Sequence, residues 1–103
     1  MAATTFEVLA EPTRRRILDL LLDRERPVGE LVSKLKLSQP GVSKHLRVLR
    51  DAGLVSVRND AQRRIYGVRA GPLEEIAEWL EPYRRLWAER LDALERHLDE
   101  EER

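Results

Sequence analysis

The stretch Leu35-Lys36-Leu37-Ser38-Gln39-Pro40-Gly41-Val42-Ser43-Lys44-His45-Leu46-Arg47-Val48-Leu49-Arg50-Asp51-Ala52-Gly53-Leu54-Val55 decides the architecture. Val42, Leu46 and Leu49 recur at spacings of four and three, the period of one face of an α-helix. Ser38 stands just before that face, where a hydroxyl can accept the backbone N–H groups that a helix start leaves free. Pro40 falls in the first turn, where its missing N–H costs nothing. Gly53 stands where a left-handed residue stops a helix. The spacing predicts a helix over 39–52, entered by a tight turn at Leu37-Ser38.

Upstream, a shorter helix over about 29–36 buries Leu31, Val32 and Leu35. Arg24–Pro27 breaks the pattern before it, and Pro12 opens a helix that runs to about Asp23. Its apolar stripe is Ile17, Leu18, Leu21 and Leu22, with Leu20 beside them. Thr4 or Thr5 caps a first short helix with Phe6 and Leu9 on one side. Downstream, Leu54–Arg58 and Arg63–Arg69 are rich in β-branched residues and flank Asn59-Asp60-Ala61-Gln62, which predicts a hairpin with a four-residue loop. Tyr66 and Val68 share a face of its second strand. From Pro72 to about Glu101 the pattern is helical again, with Pro82 ending or kinking it near Glu81. This order predicts a mainly α fold with a small β-hairpin: a winged helix-turn-helix of five to six helices and a two-stranded wing.

A chain of 103 residues is one domain by size, here a helix-turn-helix core and wing over 6–70 and a C-terminal helix over 72–101. The chain has no cysteine, which excludes disulfides, thiolate metal sites and cysteine nucleophiles. No apolar stretch approaches the roughly 18–20 residues that span a bilayer, and no signal peptide opens the chain, so a cytoplasmic protein without a membrane partner is expected. The net charge of zero divides unevenly. Residues 1–71 carry 14 Lys and Arg against 8 Asp and Glu, whereas residues 72–103 carry 5 against 11. Residues 34–69 concentrate the excess, with 9 basic against 2 acidic side chains. A basic body and an acidic tail region point to a phosphate-rich partner on one surface only.

With Val42, Leu46 and Leu49 turned inward, Gln39, Pro40, Ser43, Lys44 and Arg47 project from the other side of their helix. That is where a recognition helix meets base edges in the major groove of double-stranded DNA. Gln39 suits adenine, Lys44 suits guanine, and Pro40 offers apolar surface to a thymine methyl. Ser43 reads either as a small residue allowing close approach or as packing against the preceding helix. Arg47 and Arg50 are better placed for phosphates, and His45 packs at the edge of the motif. Arg14, Arg15 and Arg16 read as solvated or phosphate-contacting. Around the hairpin tip Arg58, Arg63 and Arg64, with Gln62 beside them, fit the minor groove or the backbone.

The 35–55 stretch closely resembles the signature of the ArsR/SmtB family of bacterial transcriptional repressors. So do Leu9-Ala10-Glu11-Pro12-Thr13-Arg14-Arg15-Arg16-Ile17-Leu18 and Gly29-Glu30-Leu31, in the right order and with the right gaps. The resemblance covers about residues 6–70 and implies a homodimeric repressor on an inverted-repeat operator, often that of its own promoter. Many family members release DNA on binding a metal. The family's thiolate site lies in the third helix, where Gly29-Glu30-Leu31-Val32-Ser33-Lys34-Leu35 offers no sulfur. Its other site pairs histidines and carboxylates on the last helix, where this chain has His97 and nothing at that spacing to complete it. The chain therefore looks like the metal-free branch, with no cofactor and with an inducer that the sequence does not name.

The apolar series Leu73, Ile76, Leu80, Tyr83, Trp87, Leu91 and Leu94, continuing to Leu98, is too long for so small a core to cover. With Phe6 and Leu9 it predicts a dimer interface, and two half-sites need two recognition helices. Trp79, Tyr83 and Trp87 read either as packing or as the lining of a ligand pocket. Two scattered histidines and no cysteine assemble no catalytic constellation, so no enzyme is expected. The alternative function is a winged-helix module that docks a protein and has only non-specific DNA affinity.

Overall fold

The computed structural model describes residues 3–102. The elements follow as α1 (Thr5–Leu9), α2 (Pro12–Asp23), β1 (Arg26–Pro27), α3 (Val28–Leu35), α4 (Gln39–Asp51), β2 (Val55–Asp60), β3 (Arg63–Val68) and α5 (Leu73–Glu101). One core joins Ile17 and Leu21 of α2, Leu31 and Leu35 of α3, and Val42, Leu46 and Leu49 of α4. Val8, Leu54, Val55 and Tyr66 close it. The inner face of α1 is thus Thr5 and Val8, leaving Phe6 40 % exposed. The stripe of α2 is narrower than expected: Leu18 and Leu20 are half-buried, and Leu22 is 76 % exposed.

Both ends of α4 are fixed by local chemistry. Ser38 Oγ accepts the Gly41 N–H at 3.2 Å, capping the start with Pro40 in the first turn. At the other end Gly53 takes a φ of 76°, its N–H donating to the Arg50 carbonyl while the Leu54 N–H donates to that of Leu49. That pair of bonds is the Schellman stop, and buried Leu49 and Leu54 supply the apolar contact that accompanies it. Lys36, with a φ of 57°, ends α3 in the left-handed region, and two residues then lead into α4.

The sheet has one more strand than expected. β1 pairs antiparallel with β3, Arg26 opposite Tyr66 and Pro27 opposite Ile65, giving the order β1-β3-β2. Pro27 has no N–H to donate and lies on an edge strand, where proline is tolerated. The β2–β3 ladder runs from Val55 opposite Val68 to Asp60 opposite Arg63. The hairpin loop is therefore Ala61-Gln62, two residues rather than four, with Ala61 at a φ of 57°.

Arg26 is buried at 5 % exposure, and its neighbours account for that. Its Nε donates to the Leu20 carbonyl at 3.0 Å, its Nη2 to Asp23 at 2.9 Å and its Nη1 to Glu30 at 2.5 Å, while Arg24 also pairs with Glu30. Burial pushes the Glu30 pKa up, but hydrogen bonds from Arg24 and then Arg26, with their charges, outweigh it and hold the carboxyl below its ordinary range. The folded chain thus binds fewer protons here than the unfolded one. The stability this confers is present above the ordinary carboxylate range and is lost as pH falls through the lowered value. In thermal melts from about pH 6 down to about pH 2, Glu30→Gln is expected to lose stability less steeply than the wild type. Parallel curves would show that the pairing contributes nothing.

α5 runs through Pro82 as one helix of 29 residues, roughly 43 Å at 1.5 Å per residue. None of its residues is buried. Leu73, Ile76 and Leu80 are half-buried near the body, and from Glu81 to Glu102 every side chain is exposed. The radius of gyration is 18.7 Å, against roughly 13 Å for a globular chain of about this length. α1 meets α5 through Phe6, whose ring lies edge-on to Trp79 at 5.8 Å, and Trp79 in turn lies 5.1 Å from Tyr83.

Candidate nucleic-acid interface

The two caps of α4 set its rotation, and the core residues Val42, Leu46 and Leu49 hold it. Gln39, Pro40, Ser43, Lys44 and Arg47 all stand exposed on the other side, as does Arg50. Among the described residues, none of these six side chains makes a hydrogen bond or ion pair within the chain.

The wing's side chains divide between two faces, because residues directly opposite in an antiparallel pair point the same way. Val57, Asn59, Arg64 and Tyr66 share one face. Ser56, Arg58, Arg63 and Ile65 share the other. The first face looks onto α4: Ser43, Leu46, Arg47, Arg50 and Asp51 line a groove of about 470 Å³ with Arg64 and Tyr66. The Arg64 guanidinium lies 5.9 Å from the centre of the Tyr66 ring, a cation–π contact that fixes the basic group at the groove wall.

Arg58, Arg63 and Arg64 are thus not one cluster at the tip. Arg58 pairs with Glu25 at 3.3 Å, and Arg63 with Asp60 at 3.6 Å, each on the face away from the groove. Gln62 lies exposed in the loop. Sequence reasoning missed Glu25, which belongs to the segment before β1 and reaches Arg58 only because β1 docks on β3. Gly67 makes room for it: a Cβ there would lie 3.2 Å from the Glu25 carboxylate.

The arginines at the start of α2 also depart from expectation. Arg14 Nε donates to His45 Nδ1 at 3.3 Å, and Arg14 Nη1 donates to the Val8 carbonyl at 3.3 Å. Arg15 Nη1 donates to the Leu9 carbonyl at 2.6 Å. Arg14 and Arg15 therefore tie the chain to itself, while Arg16 is exposed. His45 is half-buried at the edge of the motif, as its position beside Leu46 suggests.

The apolar series on α5 lies open. Tyr83, Trp87, Leu91, Leu94 and Leu98 are about half exposed or more, as are Trp79 and, less so, Leu86, which the sequence reading passed over. Leu9 and Leu73 pack partly against the core, beside the base of this stripe. Among the described residues no group of three or more His, Cys, Asp or Glu is placed to hold a metal ion, and no helix is long and apolar enough to cross a membrane.

A tri-helical core, a capped and exposed basic helix and an arginine-bearing wing across a groove define a winged helix-turn-helix DNA-binding protein. The family model of bacterial regulatory proteins of the arsR family matches residues 11–57. The HTH-type transcriptional regulator Rv0081 of Mycobacterium tuberculosis is 43 % identical over 77 residues, 74 % of this chain and 68 % of that protein. The transcriptional activator HlyU of Vibrio cholerae is 40 % identical over 79 residues, 77 % of this chain and 73 % of that one. The transcriptional repressor SdpR of Bacillus subtilis is 31 % identical over 75 residues, 73 % and 83 %. The crystal structure of Rv0081 superimposes with a TM-score of 0.63 at 39 % identity, covering 84 % of this chain and 88 % of that one. An ArsR-like transcriptional regulator from Rhodococcus sp. RHA1 gives 0.70 at 28 % identity, covering 91 % and 86 %. The chain belongs to the arsR family of DNA-binding transcriptional regulators.

Proposed function

We propose that this chain is a homodimeric repressor, or autorepressor, that reads an inverted-repeat operator. Helix α4 enters the major groove with Gln39, Pro40, Ser43, Lys44 and Arg47, and the wing meets the minor groove or backbone with Arg58, Gln62, Arg63 and Arg64. In this reading residues 6–70 form the DNA-binding unit, and 72–101, with Phe6 and Leu9, form the dimer contact. The observation that carries it is the groove that sets Arg64 of the wing against Ser43, Arg47 and Arg50 of α4. Basic groups on both walls of one concave surface suit a phosphate backbone passing between helix and wing.

Binding to its own promoter fragment under salt titration tests the reading. Each neutralised phosphate adds about 0.9 to the slope of log K against log salt, so a dimer making about eight such contacts gives a steep line. A flat response, equal affinity for scrambled DNA, or a monomer with only non-specific affinity would replace this reading with that of a protein-docking module.

Lys44 and Arg64 separate base reading from backbone contact. Lys44→Ala is expected to weaken operator binding by about 1–3 kcal/mol and to relax preference at one base position. Arg64→Ala is expected to weaken operator and scrambled DNA alike and to lower the salt slope by about one per site. A full base-preference profile by competition binding checks both. An unchanged profile in Lys44→Ala would show that α4 is rotated away from the bases.

A further inference from the structure

Arg14 links three helices. It lies at the start of α2, and one guanidinium bridges two other helices. Nε–H donates to Nδ1 of His45 on α4, and Nη1 donates to the carbonyl of Val8 on α1. We propose that Arg14 and His45 are specificity-determining positioning residues: Arg14 ties α4 to α1 through the half-buried His45 ring, and so fixes the rotation of the base-reading side without touching DNA itself. The inference rests on the reading of α4 as the recognition helix.

Three features support it. His45 lies within α4 directly after Lys44 and two residues after Ser43, so a hydrogen bond at its ring constrains the rotation of the helix turn that carries them. α1, the other end of the clamp, is the element that touches α5 through Phe6 and Trp79. Finally, the bond has a required protonation state. Arginine only donates, so His45 Nδ1 must carry a lone pair, and a doubly protonated imidazole would set two cations against each other.

The charged groups set against His45 come from α2: Arg14 itself, and Glu11, whose carboxyl is held below its ordinary range by the hydrogen bond it accepts from the Thr13 backbone N–H. α3 and β2 pack on α4 through the apolar core, and among the described residues neither places a hydrogen-bonding partner on the His45 ring. Lys44 and Arg47 flank it on its own helix.

The test reads the ratio of operator affinity to scrambled-DNA affinity, by fluorescence anisotropy, for the full chain and three variants. A general change of charge moves both affinities together, whereas a misrotated helix lowers the ratio. Arg14→Met and His45→Leu each remove the bond and are expected to lower the ratio about tenfold at pH 8, with scrambled-DNA affinity within about threefold of wild type. His45→Asn keeps an acceptor near the Nδ1 position and is expected to retain the wild-type ratio. Should Arg14→Met fail to fold by circular dichroism, the His45 pair decides alone. A wild type that shows no preference for any operator overturns the recognition-helix reading. A wild type with clear preference, matched by His45→Leu, overturns the clamp and leaves that reading standing.

Discussion

Leu46→Ala is expected to lower the unfolding free energy by about 3 kcal/mol, seen as an earlier urea midpoint at an unchanged slope. Leu46 is 1 % exposed and sits on α4 between Val42 and Leu49, where α2, α3 and β2 converge. Truncation removes transfer energy and leaves a cavity that a three-helix core with a short sheet cannot readily close. Against a total stability of about 5–15 kcal/mol, that is a large fraction. The melting temperature should drop on the order of 15 °C, since each kcal/mol is worth roughly 4–8 °C in a chain of about this size. A change under about 1 kcal/mol would mean that α4 is not seated on the core as described.

The pair Trp87→Glu with Leu91→Glu should have the larger effect on function and almost none on the isolated fold. Both side chains are about 60 % exposed, at 60 % and 62 %, so within one protomer little burial is lost. Glutamate is also a good helix former. Within a paired α5, the same changes place four charges in an apolar contact, where each unpaired one is strongly unfavourable. Sedimentation is expected to report a monomer. Operator affinity should fall by roughly 10²–10⁴, the gain that coupling two half-site contacts confers. An unchanged mass with intact operator binding would place the dimer contact elsewhere.

The parts of this architecture that were legible in the sequence have short-range causes. The Ser38 cap, the Gly53 stop and the inward face of α4 depend on residues within four or five positions of each other, and they appear where spacing puts them. What was not legible depends on distant partners. β1 is two residues long, too short for any periodic pattern, and it exists because β3 offers it an edge. Asn59 and Asp60 are ordinary turn formers, yet they continue the ladder opposite Arg64 and Arg63. Pro82 signals a helix end, but α5 continues past it. In the candidate site, the exposed row on α4 followed from the buried row. The division of the wing arginines did not, because it depends on ladder register and on Glu25, 33 residues from Arg58. Arg14 looked like one of three solvent-facing arginines until its partner on α4, 31 residues away, was in place.

The outer two thirds of α5 has its own consequence. A helical rod with every side chain exposed from Glu81 onward gains no tertiary burial from its own chain, and packing of an apolar face is what usually stabilises helices in proteins. In the proposed dimer, ordering that rod and finding a second copy become one step rather than two. For the dimeric regulator proposed above, promoter occupancy at low abundance would grow with the square of the number of chains in the cell. The response to synthesis would then be steeper than a single-chain binder could give, a threshold written into the length of one helix.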